Sequence, residues 1–111
     1  MTTPQTNFSI LDVFPGSDFV RGIHCTEIEN APDELIGYAL FAQMRKNHES
    51  KKYWEFEIVK NDTDFVMFMD SSVTKTIPPG HYNYDVVTLH TSGVRSVLIQ
   101  GRVNVIPTYT S

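Results

Sequence analysis

The alternation of apolar and polar side chains predicts β-strands along most of the chain. Trp54, Phe56 and Ile58 alternate with Glu55 and Glu57, which is the period of a strand with one face in a core and one face in water. Turn-forming residues recur at short intervals, and no window shows the 3.6-residue period of an amphipathic helix. The pattern therefore predicts an all-β protein.

About seven strands are predicted, and they cover residues 8–14, 19–26, 37–44, 53–60, 65–69, 81–90 and 94–106. The third strand is apolar on both faces, so we expect it to be central. Gly101 interrupts the last strand and predicts a β-bulge or a close approach of another backbone there. One short helical turn is predicted at 71–77, with Ser71 or Ser72 as its N-cap and with Pro78 ending it.

This number of strands is typical of an immunoglobulin-like antiparallel β-sandwich, with a small barrel as the alternative closure. Residues 1–7 are too polar to enter a core and are predicted to form a flexible N-terminal arm. Residues 8–111 are predicted to form a single β-sandwich domain.

Composition narrows the functional classes. The chain has 111 residues with a formal net charge of −4, which argues against binding DNA or anionic lipid by bulk attraction. Apolar runs fall far short of the roughly 20 residues that span a bilayer, and residues 1–9 lack a secretory signal pattern. We therefore expect no direct nucleic-acid partner, no membrane and synthesis in a cytoplasm.

Candidate catalytic and metal-binding residues do not form a recognisable pattern. The histidines lack metal-ligand spacing and are interpreted as solvated or capping residues; they are His24, His48, His81 and His90. Cys25 is the only cysteine and is interpreted as a buried, inert thiol. We predict no catalytic, metal or cofactor-binding residues and no cofactor.

The carboxylates have ordinary structural explanations. Asp62 and Asp64 lie two apart, as in calcium loops, but the rest of that motif is missing, so turn formation is favoured over a calcium site. Glu55 and Glu57 are predicted to face water and to discourage edge pairing. The remaining acidic stretch is interpreted as a solvated rim, with a partner contact as the alternative; its members are Glu27, Glu29, Asp33 and Glu34.

Basic residues concentrate around one predicted hairpin, next to Tyr53 and Trp54. They are Arg45, Lys46, Lys51 and Lys52. Cations beside aromatic rings are typical of nucleic-acid loops, but strand alternation places Trp54 in the core. An exposed hairpin is therefore favoured, with an anionic or acidic partner as the alternative.

Three segments together resemble a small immunoglobulin-like β-sandwich domain of tailed bacteriophages, found in baseplate upper proteins and as stand-alone virion proteins. Residues 35–45 contain L-x-G-Y followed by Q-x-R, residues 77–85 contain IPPGHYNYD, and residues 99–107 contain IQGRVNVIP. The resemblance covers about residues 8–110. It implies structural roles for Gly37, Gly101, Pro78–Gly80, Tyr82 and Tyr84, and it implies no catalytic residue.

The resemblance also implies a function: a non-enzymatic virion structural protein of the tail, baseplate or neck, present in the host cytoplasm during assembly. Its expected partners are other phage structural proteins and copies of itself. Residues 94–106 are expected to extend a neighbour's sheet, and residues 1–7 to order on an adjacent subunit. The alternatives are a head decoration (cement) protein, or a carbohydrate- or receptor-binding module that uses exposed Tyr53 and Tyr109.

Overall fold

A computed structural model describes residues 7–28, 31–47 and 49–107, and within these residues the protein is all-β. The described part contains seven strands, one short α-helix and one 3₁₀ turn. Their bounds are β1 Asn7–Val13, β2 Phe19–His24, the 3₁₀ turn Cys25–Glu27, β3 Tyr38–Arg45, β4 Trp54–Lys60, β5 Asp64–Met69, α1 Ser71–Thr74, β6 Gly80–His90 and β7 Arg95–Val105. The predicted strands and the predicted helical turn are confirmed. Most of the expected N-terminal arm lies outside the described residues, and Asn7 belongs to β1.

The N-cap of α1 is Asp70, so the expectation that Ser71 or Ser72 caps it is wrong. The Asp70 carboxylate accepts hydrogen bonds from the backbone N–H of Ser72, at 2.9 Å, and from the Ser72 hydroxyl. These bonds favour the ionised form and lower the pKa of Asp70. A carboxylate satisfies the first free amides of a helix as well as a hydroxyl does.

No helix in the described residues is long and apolar enough to cross a membrane.

The seven described strands form one mixed sheet in the order β1-β7-β6-β3-β4-β5-β2. All neighbouring pairs are antiparallel except β1 and β7, which run parallel. The expectation of a purely antiparallel sheet is therefore wrong. The last strand, β7, lies between β1 and β6, so along Ile99–Val105 both of its edges are paired and it does not provide the free edge expected there.

Strand β4 divides the sheet into two parts. Its first residues, Trp54–Phe56, pair with β3, whereas Glu57–Lys60 pair with β5. We call β1, β7, β6, β3 and the start of β4 the wide part, and the rest of β4 with β5 and β2 the narrow part. Side chains from β1 and from β5 share one core cluster, so the sheet curls into a nearly barrel-like shape around it.

The core follows the predicted alternation closely. Phe65, Met67 and Met69 of β5 are buried, while Tyr82 and Tyr84 of β6 point inward as predicted. The Tyr82 hydroxyl donates to the carbonyl of Pro78 at 2.6 Å, which satisfies its polar end at the rim of the core. Burial raises the pKa of Tyr82.

The bulge in the last strand lies at Leu98, not at Gly101. Val86 pairs with Ile99 but Val87 pairs with Val97, which leaves Leu98 as the extra residue. Leu98 and Ile99 are consequently both buried although they are consecutive. Gly101 keeps regular pairing with Tyr84. Gly37 does favour glycine, because its φ of +85° before β3 lies in a region that other residues rarely adopt.

Candidate functional site

The outer face of the wide part carries a laterally aligned set of polar side chains. Gln43 of β3 is opposite Asp85 of β6, which is opposite Gln100 of β7. Directly opposed residues share one face of a sheet, and in this row that face points away from the core, since Tyr84 and Val86 on either side of Asp85 are buried. Arg45 and Asn83 form an adjacent row in the same way.

These rows border a cleft of about 530 Å³, which we call the polar cleft. The residues around it are Gln43, Arg45, Asn47, Asn83, Tyr84, Asp85, Gln100 and Gly101. Side-chain amides, one carboxylate and one guanidinium supply most of its functional groups.

Several groups of the polar cleft are held in place by hydrogen bonds. Arg45 Nη2 donates to Gln43 Oε1 at 2.8 Å, and the Arg45 guanidinium lies 5.3 Å from the centre of the Tyr53 ring. Asn83 Nδ2 donates to the carbonyl of Lys46 at 3.4 Å. Within the described residues, the side chains of Asp85 and Gln100 have no hydrogen-bond or ion-pair partner, which leaves both able to bind an external group.

A row of apolar side chains crosses the same outer face farther along the strands. Phe41, Val87 and Val97 lie directly opposite one another on β3, β6 and β7, and we call them the apolar row. Phe41 and Val97 are each 47% exposed. The prediction that β3 is central is confirmed by its pairing with both β6 and β4. On its outer face Phe41 is nevertheless exposed, and within the apolar row only the middle residue, Val87, is buried.

The narrow part has an apolar outer surface as well. Val20 and Val59 are 61% and 62% exposed. They lie opposite Phe68 and Val66, respectively, both half-buried. We call these four residues the second apolar surface. Exposed apolar side chains thus occur in groups on both parts of the sheet, rather than singly.

The basic hairpin is tied to aromatic rings of its own domain. Three cations lie over rings, at 5.3 Å for Arg45 and Tyr53, 4.9 Å for Lys46 and Tyr82, and 5.2 Å for Lys52 and Trp54. Trp54 is half-buried, packs edge-on against Tyr82 and donates from Nε1 to Thr76 Oγ1 at 3.2 Å. These contacts give the basic residues a structural role in the hairpin.

The described histidines make local hydrogen bonds. His24 caps the 3₁₀ turn, where its Nδ1 accepts from the backbone N–H of Thr26. Nδ1 of His81 lies 2.7 Å from Asn104 Oδ1, and Nδ1 of His90 lies 2.9 Å from Ser92 Oγ. His48 lies outside the described residues. Across 7–28, 31–47 and 49–107, no three His, Cys, Asp or Glu side chains form a group able to hold a metal ion.

Cys25 is buried at the end of β2. Burial is the main cause that raises the pKa of its thiol, and the negative charges of Asp64 and Asp33 raise it further. The thiol is therefore held protonated and unreactive at neutral pH. This agrees with the interpretation of Cys25 as a structural residue.

The predicted acidic sites are separate from one another. Asp64 lies in the predicted turn, where Asn61 Nδ2 donates to its carboxylate at 2.8 Å. Glu27 Oε2 accepts from the backbone N–H of His24 at 2.9 Å. Glu27 is exposed, as are the other predicted acidic residues Asp33, Glu34, Glu55, Glu57 and Asp62. Glu29 and Tyr109 lie outside the described residues.

Of the residues around the polar cleft, sequence reasoning singled out Arg45 as part of the basic hairpin and gave Tyr84 and Gly101 structural roles. It did not single out Gln43, Asp85 or Gln100 as parts of a site. Asn83 and Asp85 alternate with buried tyrosines, so their outward direction was readable from the sequence. Asp85 lies beside Gln43 and Gln100 because of the order and register of the strands. A local sequence pattern does not specify either of these. Comparison with known proteins adds no assignment, since the sequence matches no protein-family model and no curated protein significantly.

Proposed function

We propose that this protein is a non-enzymatic structural component of a bacteriophage virion, in the tail, baseplate or neck. Its partners are neighbouring virion proteins and copies of itself, which it meets in the host cytoplasm during assembly and keeps in the particle. The observation that carries the proposal is the grouping of exposed apolar side chains in the apolar row and the second apolar surface. Contiguous exposed apolar patches are typical of protein–protein contact sites.

The viral context rests on the resemblance of residues 35–45, 77–85 and 99–107 to the phage domain. Within this proposal the fold is an immunoglobulin-like sandwich in which β4 belongs to both layers. The support for it is that the wide and narrow parts contribute to one shared core, as the two layers of a sandwich do.

The apolar row and the second apolar surface differ in their side chains and in the residues beside them. This difference suits contacts with two different partner surfaces. The apolar row has its aromatic ring, Phe41, at the β3 end, whereas the second apolar surface combines three valines with Phe68, which lies opposite Glu57. A subunit with two unlike contact surfaces associates head to tail, which builds rings or stacks. Such assemblies fit a tail, baseplate or neck.

The test is incorporation of surface variants into particles. Val97→Glu and Val59→Glu each place a charge in one apolar surface, and Val73→Glu places the same charge on α1, outside both. The variant is supplied during phage production, and its copy number per particle is measured by mass spectrometry alongside its melting temperature. We expect at least one of the first two to lose incorporation at an unchanged melting temperature, while Val73→Glu incorporates normally.

Normal incorporation of both Val97→Glu and Val59→Glu would contradict the proposal. Electron microscopy of particles carrying a labelled chain then locates it. Label on separated heads alone would assign the chain as a head decoration protein instead of a tail, baseplate or neck component.

A further inference from the structure

We propose that the polar cleft is a binding site for a neutral saccharide. This goes beyond the assembly role, which uses the apolar surfaces and not the cleft. The residues that carry the inference are Gln43, Arg45, Asp85 and Gln100, together with Tyr53 at the rim. The first four come from three adjacent strands, so the sheet itself positions them. Tyr53 directly precedes β4 and is positioned by its contact with Arg45.

The hydrogen-bonding groups of the cleft match what sugar hydroxyls need. Each hydroxyl both donates and accepts, so a saccharide site combines acceptors with donors at short spacing. The Asp85 carboxylate is a pure acceptor, Arg45 is a pure donor, and the amide of Gln100 is both. Asp85 is half-buried and, like Gln100, has no partner within the described residues, so neither must break an internal bond to bind ligand.

The donor side of the cleft is preorganised. The Arg45 guanidinium donates from Nη2 to Gln43 Oε1 at 2.8 Å and from Nη1 to the carbonyl of Ser50 at 3.5 Å. It also lies over the ring of Tyr53. A guanidinium held on two sides loses little side-chain entropy when it donates to a ligand. The Tyr53 ring is itself 45% exposed, so part of it remains available to pack against the apolar face of a sugar ring.

Charge and size favour a neutral ligand of modest length. The polar cleft has one carboxylate and one guanidinium, and Glu55 and Arg102 lie opposite Gln43 and Asn83 on the same face. The positive and negative charges balance, so the cleft has no net charge to select an anionic or a cationic ligand. Its volume of about 530 Å³ lies within the common range for small-ligand sites, roughly 300–1,000 Å³. That range suits one or two sugar units of a longer glycan.

The experiment begins with the full chain on an array of neutral, sialylated and sulfated oligosaccharides. The tightest neutral oligosaccharide is then titrated into isotopically labelled protein and followed by NMR shifts. We expect selective binding of neutral glycans, with shift changes centred on β3, β6 and β7. An array on which only acidic glycans bind, or none does, would overturn the proposal.

Isosteric variants locate the site. Asp85→Asn removes the negative charge and replaces one acceptor oxygen with an NH₂ donor, and we expect it to weaken binding by about tenfold, as for loss of one charge-assisted hydrogen bond. Asp12→Asn is the matched control, since Asp12 lies on the outer face of β1 and accepts from Asn104 at 3.3 Å outside the cleft. Equal effects of the two substitutions would overturn the proposed location.

Tyr53 supplies a second, independent measurement. Tyr53→Phe keeps the ring and its cation contact, so we expect binding within about twofold of the original, whereas Tyr53→Ala is expected to weaken it severalfold. Melting temperatures recorded for every variant separate loss of binding from loss of folding. Equal binding by Tyr53→Phe and Tyr53→Ala at matched stability would exclude stacking by this ring.

Discussion

The two edge strands of the sheet, β1 and β2, are anchored in different ways. The core-facing residues Leu11 and Val13 of β1 are 1% and 0% exposed. The core-facing set of β2 includes Arg21, which lies opposite the buried Met67 and yet is exposed. Strand β1 is therefore anchored by two fully buried side chains, whereas β2 carries a charged residue, Arg21, in the middle of its core-facing side.

The difference indicates that the two edges serve different purposes. Strand β1 adds to the stability of the core, and β2 carries the charge that guards the sheet against pairing with another chain. An inward-pointing charge on an edge strand prevents a further strand from closing over it, because the charge would lose its water. The aliphatic stem of Arg21 can still cover apolar surface while its head stays in solvent. Strand β1 has no such charge at its two buried positions, and these contribute to the core instead.

The largest expected effect tests the anchoring of β1. Leu11→Ala removes a buried side chain and leaves a cavity, so we expect the free energy of unfolding to fall by about 2–5 kcal/mol. Arg21→Ala is the matched change at the other edge and is expected to cost about 0.5 kcal/mol or less. Chemical denaturation measures both, and equal costs would remove the contrast between the edges.

A smaller effect is expected at the turn that joins these two strands. Thr74 of α1 is buried, and its Oγ1 donates to the carbonyl of Ser17 at 2.8 Å and accepts from the N–H of Gly16 at 3.0 Å. Thr74→Val keeps the shape but leaves both backbone groups without this partner, at an expected cost of about 1–3 kcal/mol.

The control for this change is Thr63→Val in an exposed turn, where we expect little loss of melting temperature. An unchanged melting temperature for Thr74→Val would mean that the helix does not stabilise the turn between the edges.

The smallest expected change in stability accompanies removal of the charge from β2. Arg21→Val completes an apolar inward face at an exposed edge, so we expect more self-association than in the original protein with an unfolding free energy within about 0.5 kcal/mol of it. Arg21→Gln keeps a polar group and should stay close to the original. Sedimentation velocity at several concentrations measures this, and unchanged association of Arg21→Val would show that Arg21 does not protect the edge.

Local sequence pattern was enough to predict the strands but not their arrangement. The alternation in β4, β5 and β6 identified the buried set because side-chain direction depends only on neighbours in the chain. The parallel pairing of β1 with β7 joins residues at the two ends of the sequence, and no local signal specifies it. The bulge was misplaced for a related reason: Gly101 is a bulge-prone residue, whereas Leu98 is displaced by pairing with β6.

The candidate surfaces were predictable in composition but not in position. Apolar residues on both faces of β3 predicted a central strand, but nothing in the sequence indicated that Phe41 on its outer face is exposed. The sequence showed that Asp85 faces away from Tyr84, but only the lateral register brings it beside Gln43 and Gln100. Exposure and register are properties of the whole sheet, and they define both the apolar row and the polar cleft.

The divided pairing of β4 also determines how the domain comes apart. In the described residues, every chain of interstrand hydrogen bonds from one free edge to the other passes through Trp54–Lys60. Loosening this single strand would disconnect the layer containing the polar cleft from the layer containing the second apolar surface. The β4 amide protons that bond to β3 or β5 should accordingly exchange with solvent only when the entire domain opens, so this strand couples the unfolding of the two parts.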